Sequence, residues 1–147
     1  MIKKLAQSIR EYKLPSILAP LFMIGEVAME TIVPFLMAYM IDIGFAKEDL
    51  NYVVKIGIEM LVLAVIGLLF GILSGRYAAI AATGLAKNMR KDIFYSIQGF
   101  SFANIDKFST ASLVTRMTTD ITNVQMAYQM IIRILVRAPI MIIFSII

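Results

Sequence analysis

Two carboxylates, Glu26 and Glu30, stand inside an apolar stretch that runs from Pro15 to about Phe45. Four residues is close to one helical turn, so both project from the same side of a helix. An acidic side chain at the centre of a membrane helix costs roughly 2.5–3.5 kcal/mol on insertion scales, so the two cannot both face lipid. They must face a bundle interior, a water-filled cavity or polar groups on other helices. No lysine or arginine falls in the apolar parts of the first two spans, and Arg76 lies near the far end of its helix. Two roles fit the pair: structural bonding to those helices, or lining a substrate pathway that favours cationic or hydrogen-bonding substrates.

Other chemistry is sparse. Histidine and cysteine are absent, which removes the commonest metal ligand, the usual general base and any disulfide. Neither G-x-x-x-x-G-K-[ST] nor G-x-G-x-x-G occurs. Gly84-Leu85-Ala86-Lys87-Asn88 is only superficially like a phosphate loop, lacking a second glycine and a preceding strand. No catalytic residue, metal site or cofactor site is expected in this chain. The net charge of +4 is spread along the sequence, so a nucleic-acid partner is not expected either.

Two further patterns concern packing. Gly67, Gly71 and Gly75 recur every fourth residue, with Ala79 extending the row, which allows close approach of another backbone. Packing inside the same bundle or a dedicated dimer face would both use such a row. Phe102, Ile105 and Phe108 recur every three residues amid Asn104, Asp106 and Lys107. A plain turn favours glycine, proline and polar residues. Three large apolar side chains there predict a small docking knob for a soluble partner, unless they fold back onto their own hairpin.

The elements that carry these residues are helices in a membrane. The chain of 147 residues is 60% apolar and 16% charged, with a mean hydropathy of +0.83, against about 45–50% apolar for soluble domains. Residues 1–13 place Ile2, Leu5, Ile9 and Tyr12 on one face, with Lys3, Lys4, Arg10 and Lys13 elsewhere, as in a basic amphipathic helix on a membrane surface. A first span covers about 15–45, with Pro15 at the first helical position and Pro34 predicted to kink it. After a polar connection, Ala46 to Asn51, one uninterrupted helix is predicted over 52–98. At roughly 70 Å it is more than twice the thickness of a bilayer core, so its outer part must enter water. There, Leu85, Met89, Ile93 and Ile97 form an apolar stripe that needs a partner. Gly99 to Ser109 breaks the pattern. A returning helix shows Leu113, Met117, Ile121, Val124, Tyr128, Ile131 and Leu135, close to a 3.6-residue period. A third span is predicted to start at 134. Ending at Ile147, it is too short to cross, so the chain is expected to be a piece of a longer protein.

Basic residues set the orientation. Residues 1–13 hold four Lys/Arg and residues 76–137 hold eight, against two in the connection extended to Lys55. The positive-inside rule puts the N-terminus and residues 77–133 in the cytoplasm, and Lys47 to Tyr52 outside.

Architecture and wording together resemble the transmembrane domain of exporter-type ABC transporters over the whole chain. The matching phrases are Ile32-Val33-Pro34, Arg90-Lys91-Asp92-Ile93-Phe94, Phe102-Ala103-Asn104-Ile105-Asp106-Lys107-Phe108 and Leu113-Val114-Thr115-Arg116-Met117-Thr118-Thr119-Asp120. Ala111-Ser112 stands where the family usually has a glycine and an acidic residue. The resemblance implies an all-α membrane bundle in which 1–13 is an elbow helix and 14–147 a partial transmembrane domain. Within it, 77–133 is a cytoplasmic hairpin whose tip, Phe102 to Phe108, is the first coupling helix. It also implies ATP and Mg on a nucleotide-binding domain outside this chain, a second half-transporter as homo- or heterodimer, and a multi-pass cell-membrane location. Two other readings fit the residues less well. One is a small ion-coupled multidrug pump using Glu26 or Glu30, the other a membrane scaffold or receptor with a docking hairpin.

Overall fold

A computed structural model describes residues 8–99 and 110–146, all helices and turns, with no strand among the described residues. The first helix, α1, spans Lys13–Tyr39 and continues through a π-helical turn, Met40–Phe45. It starts two residues before Pro15 and runs on through Pro20 and Pro34. Each proline lacks the N–H that would bind a carbonyl one turn back, so the carbonyls of Ser16 and Glu30 lose that partner.

The turn out of α1 closes as a Schellman motif. The Asp49 N–H bonds the Gly44 carbonyl at 3.0 Å and the Glu48 N–H bonds that of Phe45 at 3.2 Å. Glu48 takes the left-handed conformation, φ 54°, that such a cap requires and that glycine would adopt more easily. Asp49 then caps the next helix, its carboxylate accepting from the Asn51 and Tyr52 N–H groups. That cap starts α2 at Leu50, two residues before the expected boundary.

The helix α2 is continuous over Leu50–Gln98, 49 residues. The predicted stripe is turned inward, with Leu85 buried and Met89, Ile93 and Ile97 half-buried. A seam along α2 runs through Gly67, Gly71, Ser74, Ala78, Ala81, Leu85 and Asn88, buried except for the half-buried Gly71; its first three positions meet α1 and Asn88 meets Ser8, just ahead of it. These positions alternate four and three apart, the 3.5-residue repeat of helices packed at a shallow left-handed crossing. The glycine row follows a different line. A step of four residues turns the helix by about 40° beyond a full circle, so the row drifts off the seam. Gly67 lies against Met29 and Gly71 against Glu26, whereas a Cβ built on Gly75 would meet nothing within 4 Å. Ser74 takes up the seam instead, its hydroxyl donating to the Ala19 carbonyl at 3.0 Å. Phe22 stacks on Tyr77 beside it, ring centroids 5.5 Å apart.

The returning helix has three parts: α3, Thr110–Thr115, a π-helical turn, Arg116–Asp120, and α4, Ile121–Ile146. Ile121 is buried and Tyr128 half-buried as the periodicity predicts, but Ile131 and Leu135 are exposed. Farther along α4 the half-buried side chains are Ile132, Val136, Arg137 and Ile140. An apolar stripe marks the packed face only where the opposite face meets water. Within a bilayer both faces are apolar and that signal is lost. By length and composition alone, three helical stretches could cross a membrane: Arg10–Phe45, Leu50–Gln98 and Arg116–Ile143.

Of the expected N-terminal helix, residues 8–12 are described. They form a turn followed by a 3-10 turn, Arg10–Tyr12, and not an α-helix. Arg10 has φ 40° and its guanidinium donates to Asp92 at 2.8 Å. Asn88 donates to the Ser8 carbonyl at 2.8 Å. The Tyr12 ring lies flat on Gly84, where any Cβ would collide with it. The glycine that opened the loop-like pentapeptide is therefore a seat for an aromatic ring. Gly84→Ala should destabilise the fold by about 1–3 kcal/mol through overpacking, and the double variant with Tyr12→Ala should lose less than the sum of the two single changes. Thermal unfolding in detergent measures both. Additive losses would refute the Tyr12–Gly84 contact.

Candidate functional site

Packing on the 3.5-residue seam leaves one side of α1 open between α2 and α4, and Glu26 and Glu30 both stand there. Helix order makes α1 and α4 run in the same direction. Two contacts mark their heights: Tyr128 Oη donates to Ser16 Oγ at 3.0 Å, and Arg137 Nη2 donates to Glu30 Oε2 at 2.8 Å. The second guanidinium nitrogen, Nη1, is 3.7 Å from Glu26 Oε1. One arginine thus spans two carboxylates one turn apart.

A partner for both glutamates thus lies within the chain, in the bundle interior that the sequence offers as one of their possible surroundings. The positive-inside count groups Arg137 with the other basic residues of 76–137, although it stands within an apolar run. The missed signal was its isolation in that run. An arginine among Ile134, Leu135, Val136 and Ile140 needs a counter-charge at the same depth, and the first span offers two.

The two carboxylates differ in surroundings. Glu30 is 40% exposed and makes the short bond. Glu26 is 14% exposed, and its carboxylate rests on the face of Gly71, where a Cβ would stand 3.0 Å from Oε1. Its Oε2 is buried without a hydrogen-bond partner among the described residues. Gly71 thus makes room for a charge.

An open groove of about 570 Å³ runs beside the cluster, lined by Glu26 and Glu30 on α1, Gly67, Gly71 and Ile72 on α2, and Arg133 on α4. Arg133 and Arg137 together line a smaller hollow of about 210 Å³ with Met23 and Met130. Arg133 has no ion pair or hydrogen bond among the described residues. No group of three or more potential metal ligands occurs among them. The arrangement can hold a polar or charged group inside an otherwise apolar bundle; it has no nucleophile or acid–base pair aimed at one point. The tip that carries Phe102, Ala103, Asn104, Ile105, Asp106, Lys107 and Phe108 lies outside the described residues.

Three long apolar helices joined by a shared arginine–glutamate cluster, one of them longer than a bilayer core is thick, define a helical membrane bundle. Residues 16–147 match the family described as the ABC transporter transmembrane region, and the chain belongs to that family. It is similar to the uncharacterized ABC transporter ATP-binding protein YfiB of Bacillus subtilis (strain 168), 36% identical over 141 residues, covering 96% of this chain and 25% of that protein. An uncharacterized ABC transporter ATP-binding protein of Mycobacterium tuberculosis strain H37Rv is 30% identical over 142 residues, covering 96% of this chain and 24% of its own length. The ATP-dependent lipid A-core flippase of Albidiferax ferrireducens is 24% identical over 121 residues, 82% of this chain and 21% of the flippase. The chain spans about a quarter of the length of these relatives.

Removing one partner of a half-buried charge cluster leaves the others uncompensated. Arg137→Gln should lower thermal stability in detergent by about 2–3 kcal/mol, with Arg137→Lys losing less because it keeps the charge. Equal stability of all three proteins would show that the cluster contributes nothing.

Proposed function

We propose that this chain is the N-terminal part of the membrane-spanning subunit of an ATP-driven exporter in the cell membrane, contributing part of the substrate pathway and the first coupling hairpin. The observation that carries the reading is the family match over residues 16–147, on a bundle whose second helix runs for 49 residues. At 1.5 Å per residue that helix exceeds the bilayer core by roughly 40 Å, a length suited to a lever reaching a cytoplasmic domain. The family membership also sets aside the small ion-coupled pump, whose spans would be about 20 residues joined by short loops.

In this reading the N-terminus and the hairpin over 77–133 are cytoplasmic, and Lys47 to Tyr52 faces outside. A nucleotide-binding domain, outside this chain, would bind ATP and Mg and hydrolyse the nucleotide, while the chain alone would not. The relatives' names, as ATP-binding proteins, support such a domain on a longer polypeptide. ATP can shift the bundle only by favouring one arrangement of its coupling tips over the other. Phe102, Ile105 and Phe108 would bury against the nucleotide-binding domain, and a second half-transporter, identical or related, would complete the pathway. Glu26 and Glu30 are read as pathway residues with a structural duty: Arg137 ties them to α4, and Glu30, the more exposed, fronts the groove.

Because the chain has no cysteine, single cysteines report topology cleanly. A cysteine at Lys47 should react with an impermeant thiol reagent in intact cells, and one at Asp106 only after permeabilisation. Labelling at Asp106 from outside would overturn the orientation. At the tip, Phe108→Ala in the complete transporter should weaken domain coupling by about 2 kcal/mol, roughly thirtyfold, with insertion intact. Unchanged substrate-stimulated ATPase activity in the alanine variants of Phe102, Ile105 and Phe108 would instead favour a tip folded on itself.

A further inference from the structure

The charges between α1 and α4 form a two-by-two pattern of which the structure shows only one rung made. Glu26 and Glu30 are one turn apart on α1, and Arg133 and Arg137 are one turn apart on α4. The two helices run the same way, so the pairs have the same order along both. Arg137 makes its short bond to Glu30, 2.8 Å, and reaches back to Glu26 at 3.7 Å. Arg133, one turn nearer the start of α4, lines the same groove as Glu26 and has no ion pair or hydrogen bond among the described residues. Glu26 has one oxygen in a long ion pair and the other, Oε2, with no hydrogen-bond partner among the described residues. A cation without an anion and an incompletely bonded anion thus face one cavity.

We infer that Glu26, Glu30, Arg133 and Arg137 form a two-rung charge ladder with two arrangements, and that Arg133 is the counter-ion of Glu26 in the arrangement not seen here. In the observed one, Arg137 spans both carboxylates and Arg133 lines the open groove. In the other, a displacement of α4 along or about α1 by less than one turn gives Arg133 to Glu26 and leaves Arg137 on Glu30 alone. Neither arrangement strands a carboxylate in the bilayer, which is the condition for two discrete states of comparable energy. Passing between them alters the groove that Arg133 lines, so the ladder couples helix register to the shape of the cavity.

This rests on the exporter reading, and it takes the second arrangement to be the nucleotide-trapped one. The test is a double-mutant cycle in the complete transporter, reading the ATP concentration that half-traps the protein with vanadate. Glu26→Gln and Arg133→Gln should each raise that concentration about tenfold, and the double variant should raise it no further. Arg133→Lys, which keeps the charge, should stay within about threefold of the unsubstituted protein. Additive effects, or no effect of either single change, would overturn the ladder while leaving the exporter reading intact. Failure of the unsubstituted protein to trap any nucleotide would remove the exporter reading and the ladder with it.

Discussion

A charge in hydrocarbon has few ways to lower its free energy, and the bundle is arranged around that fact. Each of Glu26, Glu30 and Arg137 would cost a few kcal/mol facing lipid alone. Together they form one cluster in which the guanidinium stands 2.8 Å from one carboxylate and 3.7 Å from the other. The cluster settles which side of α1 turns toward α4, because both glutamates lie on that side. It also settles which side of α4 turns inward, against the pull of no particular apolar face. Apolar packing between membrane helices is not driven by expulsion of water, so a polar contact of this kind decides orientation more than it would in a soluble core.

The contact between α1 and α2 works by different means. Its seam is of small residues, Gly67, Gly71, Ser74, Ala78 and Ala81, so the backbones approach closely and dispersion accumulates along the length. One hydroxyl on that seam, Ser74, binds a carbonyl of the facing helix. The two modes meet at Gly71, where the missing side chain leaves space for the Glu26 carboxylate. Seam and cluster are therefore not independent, and a side chain at 71 would disturb both.

Toward its C-terminal end α2 makes polar and aromatic contacts with the N-terminal segment. Tyr12 seats on Gly84, Arg10 pairs with Asp92, and Asn88 holds the Ser8 carbonyl. The Arg10–Asp92 pair is half-exposed and contributes little on its own. Arg10 itself has a left-handed backbone, φ 40°, at the corner where the chain enters α1. The corner thus joins the N-terminal segment to the C-terminal half of α2.

Much of this was legible in the residues. Composition alone required a membrane, the absence of any break between Tyr52 and Gln98 required one long helix, and the stripe from Leu85 to Ile97 was turned inward as its period demanded. These features depend on local spacing and on transfer between water and oil, both of which a sequence states directly. The glycine row packs within the bundle at Gly67 and Gly71 but leaves the seam at Gly75, because a four-residue spacing is only locally a straight line on a helix. The partner of Glu26 and Glu30 was present in the sequence but 107 residues from Glu30. Spacing along the chain cannot say that α4 returns to the same depth beside α1, and hydropathy cannot choose a face on a helix that is apolar all round. Those two decisions are three-dimensional. They follow from how α4 packs beside α1 and α2, and from the requirement that an arginine in hydrocarbon find its anions there.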